Sequence, residues 1–179
     1  AAEIAQRISV IYIALTFLCA LAYGAVGMQA VDAILHSLTT VATGGFSTRD
    51  ASFGAFQGGA EYVSVLFMIL AALPFARFVQ LLNGTAKPLL QDSQIRGMLI
   101  ALATITALLG FWLWIWTGTF SEEAFRKALF NATSILTGTG YASTDYMNWG
   151  PFAVTLMFLA GLIGGCAGST SCSIKVFRY

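Results

Sequence analysis

The chain has 179 residues, of which 58% are hydrophobic and only 9% charged, against roughly 25% charged in an average soluble domain. That composition excludes an ordinary soluble fold, and a formal net charge of +1 offers no electrostatic footprint for nucleic acid. The expected class is an all-α membrane protein. Cys19, Cys166 and Cys172 lie in apolar or small-residue segments, and the single histidine, His36, stands at no metal-ligand spacing from them, so neither a disulfide nor a metal site is expected.

In chain order, the first long apolar stretch covers 8–28. It is too long for the apolar region of a signal peptide and lacks a small-residue cleavage site, so it reads as a span. A short apolar segment, 33–42, follows; Asp32 suits its N-terminus and His36 reads as a packed residue within it. It runs into Thr43-Gly44-Gly45-Phe46-Ser47, then a polar loop, 49–57. The second long stretch, 62–82, contains Pro74, expected as a tolerated kink, and Arg77, expected to snorkel. The third, 97–117, carries Trp112, Trp114 and Trp116 near its end as interfacial anchors. A second short segment, 123–136, begins after Ser121-Glu122-Glu123, residues suited to a helix N-terminus, and leads to Gly138-Thr139-Gly140-Tyr141-Ala142. The fourth long stretch is 151–173. Each long stretch has about 21 residues or slightly more, and at ~1.5 Å rise per residue that covers the ~30 Å hydrocarbon core. The sequons at Asn83 and Asn131 fall on the expected cytoplasmic side and inside the second short segment, so neither is expected to be used.

Sliding the chain along itself by 95 residues superposes Ala33 on Ala128, His36 on Asn131, Gly45 on Gly140, Phe46 on Tyr141 and Asp50 on Asp145. Two tandem units follow, each a span, a re-entrant pore helix, a glycine motif and a second span, dividing the chain into 1–95 and 96–179. Glycine-rich backbone at membrane depth is tolerated where it is buried or lines a water-filled cavity. A glycine motif at the C-terminal, partly negative end of a half-length helix can turn carbonyl oxygens toward an ion, and two aligned copies point to a cation filter. The alternative for each copy is an ordinary helix C-cap. The filter backbone would be Thr43, Gly44, Gly45 and Phe46 with Gly138, Thr139, Gly140 and Tyr141, the two aromatic residues wedging each strand against its pore helix.

The run 164–173 consists of ten small residues with poor summed helix propensity. It reads either as close helix packing through pairs such as Gly161/Gly165 and Gly164/Gly168, or as an unwound loop beneath the filter. Arg7, Arg77, Lys87, Arg96, Lys175 and Arg178 fall on one side of the four spans, while Arg49, Arg126 and Lys127 fall on the other with most of the acidic residues. The positive-inside rule then puts both ends of the chain in the cytoplasm.

The stretch His36–Thr48 together with Thr137-Gly138-Thr139-Gly140-Tyr141 resembles the Trk/Ktr/HKT superfamily of cation transporters, most of all its TrkH branch. The resemblance implies a potassium-channel-like fold with four such units in one polypeptide, of which these two, similar to the second and third, make half of a pseudo-fourfold pore. It implies that Gly164, Gly165, Gly168, Ser169, Thr170, Ser171 and Ser173, anchored by Lys175, form an intramembrane gating loop. Family members usually carry a glycine pair where Cys172-Ser173 stands. The implied activity is potassium uptake across a bacterial inner membrane, by channel or ion-coupled symport, with potassium as substrate at the filter and no cofactor in this chain. The implied partners are the remaining repeats or a second copy, a homodimer mate and a cytoplasmic nucleotide-binding regulatory subunit. The rival readings are a repeat-built secondary transporter with a midplane site and a structural membrane subunit; none of the three is an enzyme.

Overall fold

A computed structural model describes residues 2–119, 121–172 and 174–175; Ser173 of the expected loop and Arg178 of the charge pattern lie outside them. The described residues form α1 (Ala2–Ala25), α2 (Ala30–Val41), α3 (Gly59–Ala71), α4 (Phe75–Leu82), the short α5 (Lys87–Leu90), α6 (Ser93–Thr117), α7 (Glu122–Thr137) and α8 (Pro151–Leu162), with 3-10 turns at Ser52–Ala55 and Tyr146–Trp149. Among them there is no strand beyond one isolated parallel bridge, Ile163 to Ile174.

Two helices, α1 and α6, are long and apolar enough to cross a bilayer unaided. Along α1, Val10, Ile13, Phe17, Leu18 and Leu21 are all more than half exposed, as an acyl-chain-facing surface would be. Helix α6 starts four residues before the expected 97 because Asp92 caps it, its carboxylate accepting the Gln94 N–H at 2.9 Å. Small residues set the close packing of the second half: Ala128 and Ala132 of α7 and Ala153 and Ala160 of α8 are at most 1% exposed.

The continuous second span expected over 62–82 is instead α3 and α4, bent by 88° across Ala72-Leu73-Pro74. Pro74 is a break and not a tolerated kink. It has no N–H to donate and pushes the preceding residue out of the helical region. Backbone groups released there are satisfied from the other half of the chain. The Ala71 carbonyl accepts from the Thr170 N–H (3.3 Å) and hydroxyl (3.0 Å), the Ala72 carbonyl accepts from the Cys166 N–H (3.0 Å), and the Phe75 N–H donates to the Gly168 carbonyl (3.0 Å). Arg77 does not snorkel freely either: its Nε donates to Asp92 at 2.7 Å, closing α4 onto the cap of α6.

The fourth expected span, 151–173, is helical only to Leu162. Ile163 is extended, and the Gly164 N–H donates to the Ile174 carbonyl at 2.7 Å, so the small-residue run leaves the helix and returns alongside its own start. Helix packing through Gly164/Gly168 is therefore excluded, since neither residue is helical. Trp112 turns inward, its Nε1 donating to the Trp149 carbonyl at 2.7 Å, whereas Trp114 and Trp116 are half exposed.

Candidate functional site

Helices α2 and α7 both end at a glycine motif, and the backbone handedness beyond them matches at the 95-residue offset. Thr43 (φ 51°) and Gly45 (φ 68°) are left-handed in the first half, Gly138 (φ 73°) and Gly140 (φ 86°) in the second, and the residues between them, Gly44 and Thr139, are not. In an ordinary strand successive groups alternate between two faces. Alternating handedness undoes that and lets successive carbonyls fall on one side. Thr43 is β-branched, and holding it left-handed costs roughly 1–2 kcal/mol. Its hydroxyl lies within reach of the Ala42 carbonyl (2.7 Å) and the Thr170 carbonyl (2.9 Å), donating to one at a time.

Each strand is tied to its own short helix in the same way. The Thr39 hydroxyl donates to the Phe46 carbonyl at 2.9 Å, and the equivalent Ser134 hydroxyl donates to the Tyr141 carbonyl at 2.7 Å. The two strands also touch. A Cβ at Gly45 would collide with the Thr139 carbonyl oxygen, so only glycine fits there, while a Cβ at Gly140 would meet open space.

The aromatic residues after the glycines differ. Tyr141 is 1% exposed, and its ring lies against His36 and Phe53 of the first half; its hydroxyl bonds with Thr39 and reaches Thr40 (3.4 Å) and the His36 carbonyl (3.2 Å). Phe46 is 78% exposed. The expected wedge of Phe46 is not made, its ring being left largely exposed, whereas Tyr141 packs across units on the other half's helix. The offset that pairs them in sequence carries no sign of this, because the contact is made across units.

Several residues to which the sequence assigned no part in the site hold it together. Asp32, expected only as a helix-start residue, accepts from the Thr48 hydroxyl and Arg49, both at 2.6 Å, and so ties the segment after the first motif back to α2. His36 is fully buried between the Asp32 carbonyl (2.8 Å) and the Ser47 hydroxyl (2.9 Å). Its partner at the offset, Asn131, donates to the Ser143 hydroxyl at 3.0 Å. Ala142 is held on both sides by the first half, its N–H donating to the Ser52 hydroxyl and its carbonyl accepting from the Gly54 N–H. On α7, Arg126 donates to Glu61 of α3 at 2.6 Å and to Glu122 at 2.5 Å. Glu61 is fully buried, and its second carboxylate oxygen has no hydrogen-bond partner.

The small-residue loop sits against both strands and the helix break. Thr170 contacts Thr43 and Ala71, and the Cys172 sulfur lies 3.5 Å from the Gly138 carbonyl, filling the space a side chain at Gly138 would need. Gly164 opens the loop, Gly165 donates to the Ser171 hydroxyl at 2.7 Å, Gly168 is left-handed at its tip, and Ser169 donates to the Cys166 carbonyl at 2.6 Å. The Lys175 ammonium folds back to the Ser171 carbonyl and the Ser169 hydroxyl. Beside the tip, Ser9, Tyr12, Phe75 and Gly168 line a cavity of ≈ 500 Å³. Among the described residues no cluster of acidic, histidine and cysteine side chains suits a resident metal; the chemistry on offer is that of backbone carbonyls.

A family model for TrkH, described as a cation transport protein, matches residues 2–179. The chain is 40% identical to the Trk system potassium uptake protein TrkI of Halomonas elongata over 98% of its own length and 36% of that protein's. To the Trk system potassium uptake protein TrkG of Escherichia coli it is 32% identical, covering 99% of this chain and 37% of the relative. The crystal structure of the potassium transporter TrkH from Vibrio parahaemolyticus superposes with a TM-score of 0.92 at 34% identity, over 99% of this chain and 39% of that one. The chain thus spans somewhat more than a third of the length of these relatives.

Proposed function

Because the chain belongs to the TrkH family of cation transport proteins, we propose that it supplies two span–pore–span units, 1–95 and 96–179, to a potassium uptake protein. As a member of that family it is an integral membrane protein. The observation that carries the proposal is the paired alternation of backbone handedness at Thr43 and Gly45 and at Gly138 and Gly140. Carbonyls of Thr43, Gly44, Gly45 and Phe46, with those of Gly138, Thr139, Gly140 and Tyr141, replace the hydration shell of a potassium ion, the substrate, near the axis shared by the two motifs. The C-terminal ends of α2 and α7 add partial negative charge beneath it. Such a role needs no cofactor and performs no enzymatic step.

In this reading the described part of 164–175 is a gate. It contacts both filter strands, its small residues resist bending little, and the neighbouring cavity gives its tip somewhere to go. The remaining repeats or a second copy complete the pore, a homodimer mate and a cytoplasmic nucleotide-binding subunit attend it, and both ends of this stretch face the cytoplasm at a bacterial inner membrane. The test is uptake of radioactive rubidium by full-length protein reconstituted in liposomes under an inside-negative potential. Uptake that unlabelled potassium outcompetes better than sodium is expected; absence of uptake by folded protein would leave a structural subunit.

A further inference from the structure

Near the end of α1, a helix with many exposed apolar side chains, Tyr23 is fully buried, its ring against Phe53 and its hydroxyl 2.8 Å from the Thr40 hydroxyl of α2. From there hydroxyls run without a gap to the first glycine strand: Thr40 to Tyr141 at 3.4 Å, Tyr141 to Thr39, and Thr39 to the Phe46 carbonyl at 2.9 Å. Each hydroxyl carries one proton, so the group at the end sets the direction of the whole chain. A carbonyl can only accept, so Thr39 donates to Phe46; Tyr141 then donates to Thr39, Thr40 to Tyr141, and Tyr23 to Thr40. The His36 carbonyl competes for two of these protons, lying 3.3 Å from the Thr39 hydroxyl and 3.2 Å from that of Tyr141. A hydroxyl that accepts a hydrogen bond becomes a better donor. Donation entering at Tyr23 therefore favours the arrangement that ends on Phe46 over the one that turns back to His36.

We infer that Tyr23 is a positioning residue for the filter: acting through Thr40, Tyr141 and Thr39, it holds the direction of the Phe46 carbonyl and with it the preference for potassium over sodium. The inference rests on the proposed filter and deepens it, extending the machinery that sets selectivity to a side chain on α1, which contributes no residue to either glycine strand. A carbonyl held from behind keeps its place, whereas a released one can draw in around the smaller ion. The chain ends on the first strand alone. Across the 95-residue offset Ser134 stands for Thr39 and donates to the Tyr141 carbonyl, but Gly118 and Ile135 stand for Tyr23 and Thr40 and carry no hydroxyl. Tyr141, its middle member, belongs to the second strand, so the same protons couple the two strands.

The test is sodium competition against rubidium uptake by full-length protein in liposomes. Tyr23→Phe removes the hydroxyl and keeps the ring, and Thr40→Val cuts the same chain one member later. Each should lower the sodium concentration for half-inhibition by about threefold, what part of one net hydrogen bond is worth, while maximal uptake per folded molecule and Tm change little. The double variant should shift no further than either single one, because both interrupt one chain. Thr16→Val, which removes an α1 hydroxyl bonded to the Tyr12 carbonyl of its own helix, should leave sodium inhibition where it was. Unchanged sodium inhibition in either folded single variant, a double variant whose shift is the product of the two, or an equal shift in Thr16→Val would overturn the inference. The filter reading fails separately, when Gly45→Ser and Gly140→Ser leave sodium inhibition unchanged; a result in which those two shift and Tyr23→Phe does not strikes this inference alone.

Discussion

Tyr141 shows how much one hydroxyl does here: it joins the second glycine strand to Thr39, Thr40 and the His36 carbonyl of the other half. Tyr141→Phe keeps the ring against Phe53 and removes those bonds, which at about 1 kcal/mol for a net hydrogen bond should lower the Tm of the purified protein by a few degrees. Tyr141→Ala also loses the ring and should cost about 3–5 kcal/mol. A thermal melt in detergent that ranks the two variants the other way would break the packing account. The two glycine motifs, 43–46 and 138–141, were legible as residues, because glycine recurs at one offset beside equivalent helices. Where the rings of Phe46 and Tyr141 point was not legible, since it depends on which unit sits next to which.

At the scale of elements, two ion pairs lock helices that sequence leaves unconnected. Arg126 on α7 is the partner of the fully buried Glu61 on α3. Arg126→Leu strands that carboxylate and should cost about 3–5 kcal/mol, whereas the double variant Glu61→Leu/Arg126→Leu should cost less than the single one, the sign expected when desolvation dominates a buried pair. Melts of the three variants give the answer directly. Burial pushes the Asp92 carboxyl up, but the Arg77 guanidinium and the Gln94 N–H outweigh it and hold it below the usual carboxylate range. A carboxyl depressed on folding contributes stability that is present above its unfolded pKa of about 3.9 and is lost as pH falls through the lower folded value. Asp92→Ala should therefore lower Tm at neutral pH, with about 1 kcal/mol from the cap alone, and show a smaller further drop on acidification below pH ~4 than the unsubstituted protein. The helices α1, α2, α6 and α7 could be read from apolar runs, capping residues and breaks in composition. The right angle at Pro74 could not, because proline alone is compatible with a mild kink in a membrane helix. What makes it a break is the set of donors and acceptors that Cys166, Gly168 and Thr170 bring from about a hundred residues away, and no local signal announces them.

For the whole molecule, the loop that binds the α3/α4 break also touches both glycine strands, so displacing it has two consequences at once. Deleting 166–170 should raise rubidium flux per folded molecule, while filter selectivity stays nearly unchanged. The same deletion frees Ala71, Ala72 and Phe75 backbone groups and should lower Tm. Reduced Tm with no rise in flux would make the loop a packing element only. The unwinding of this loop was open from composition, where ten small residues suit close helix contact and irregular backbone alike; the hydrogen bonds to the break decide it. The most direct measurement for the filter itself is sodium competition against rubidium uptake in full-length protein carrying Gly45→Ser or Gly140→Ser. At Gly45 the new Cβ meets the Thr139 carbonyl, and at both positions a side chain must take a left-handed conformation. Both variants should admit sodium at lower concentrations than the unsubstituted protein, Gly45→Ser more severely; two folded variants with unchanged sodium inhibition and unchanged potassium affinity would contradict the assignment of these strands as the potassium filter.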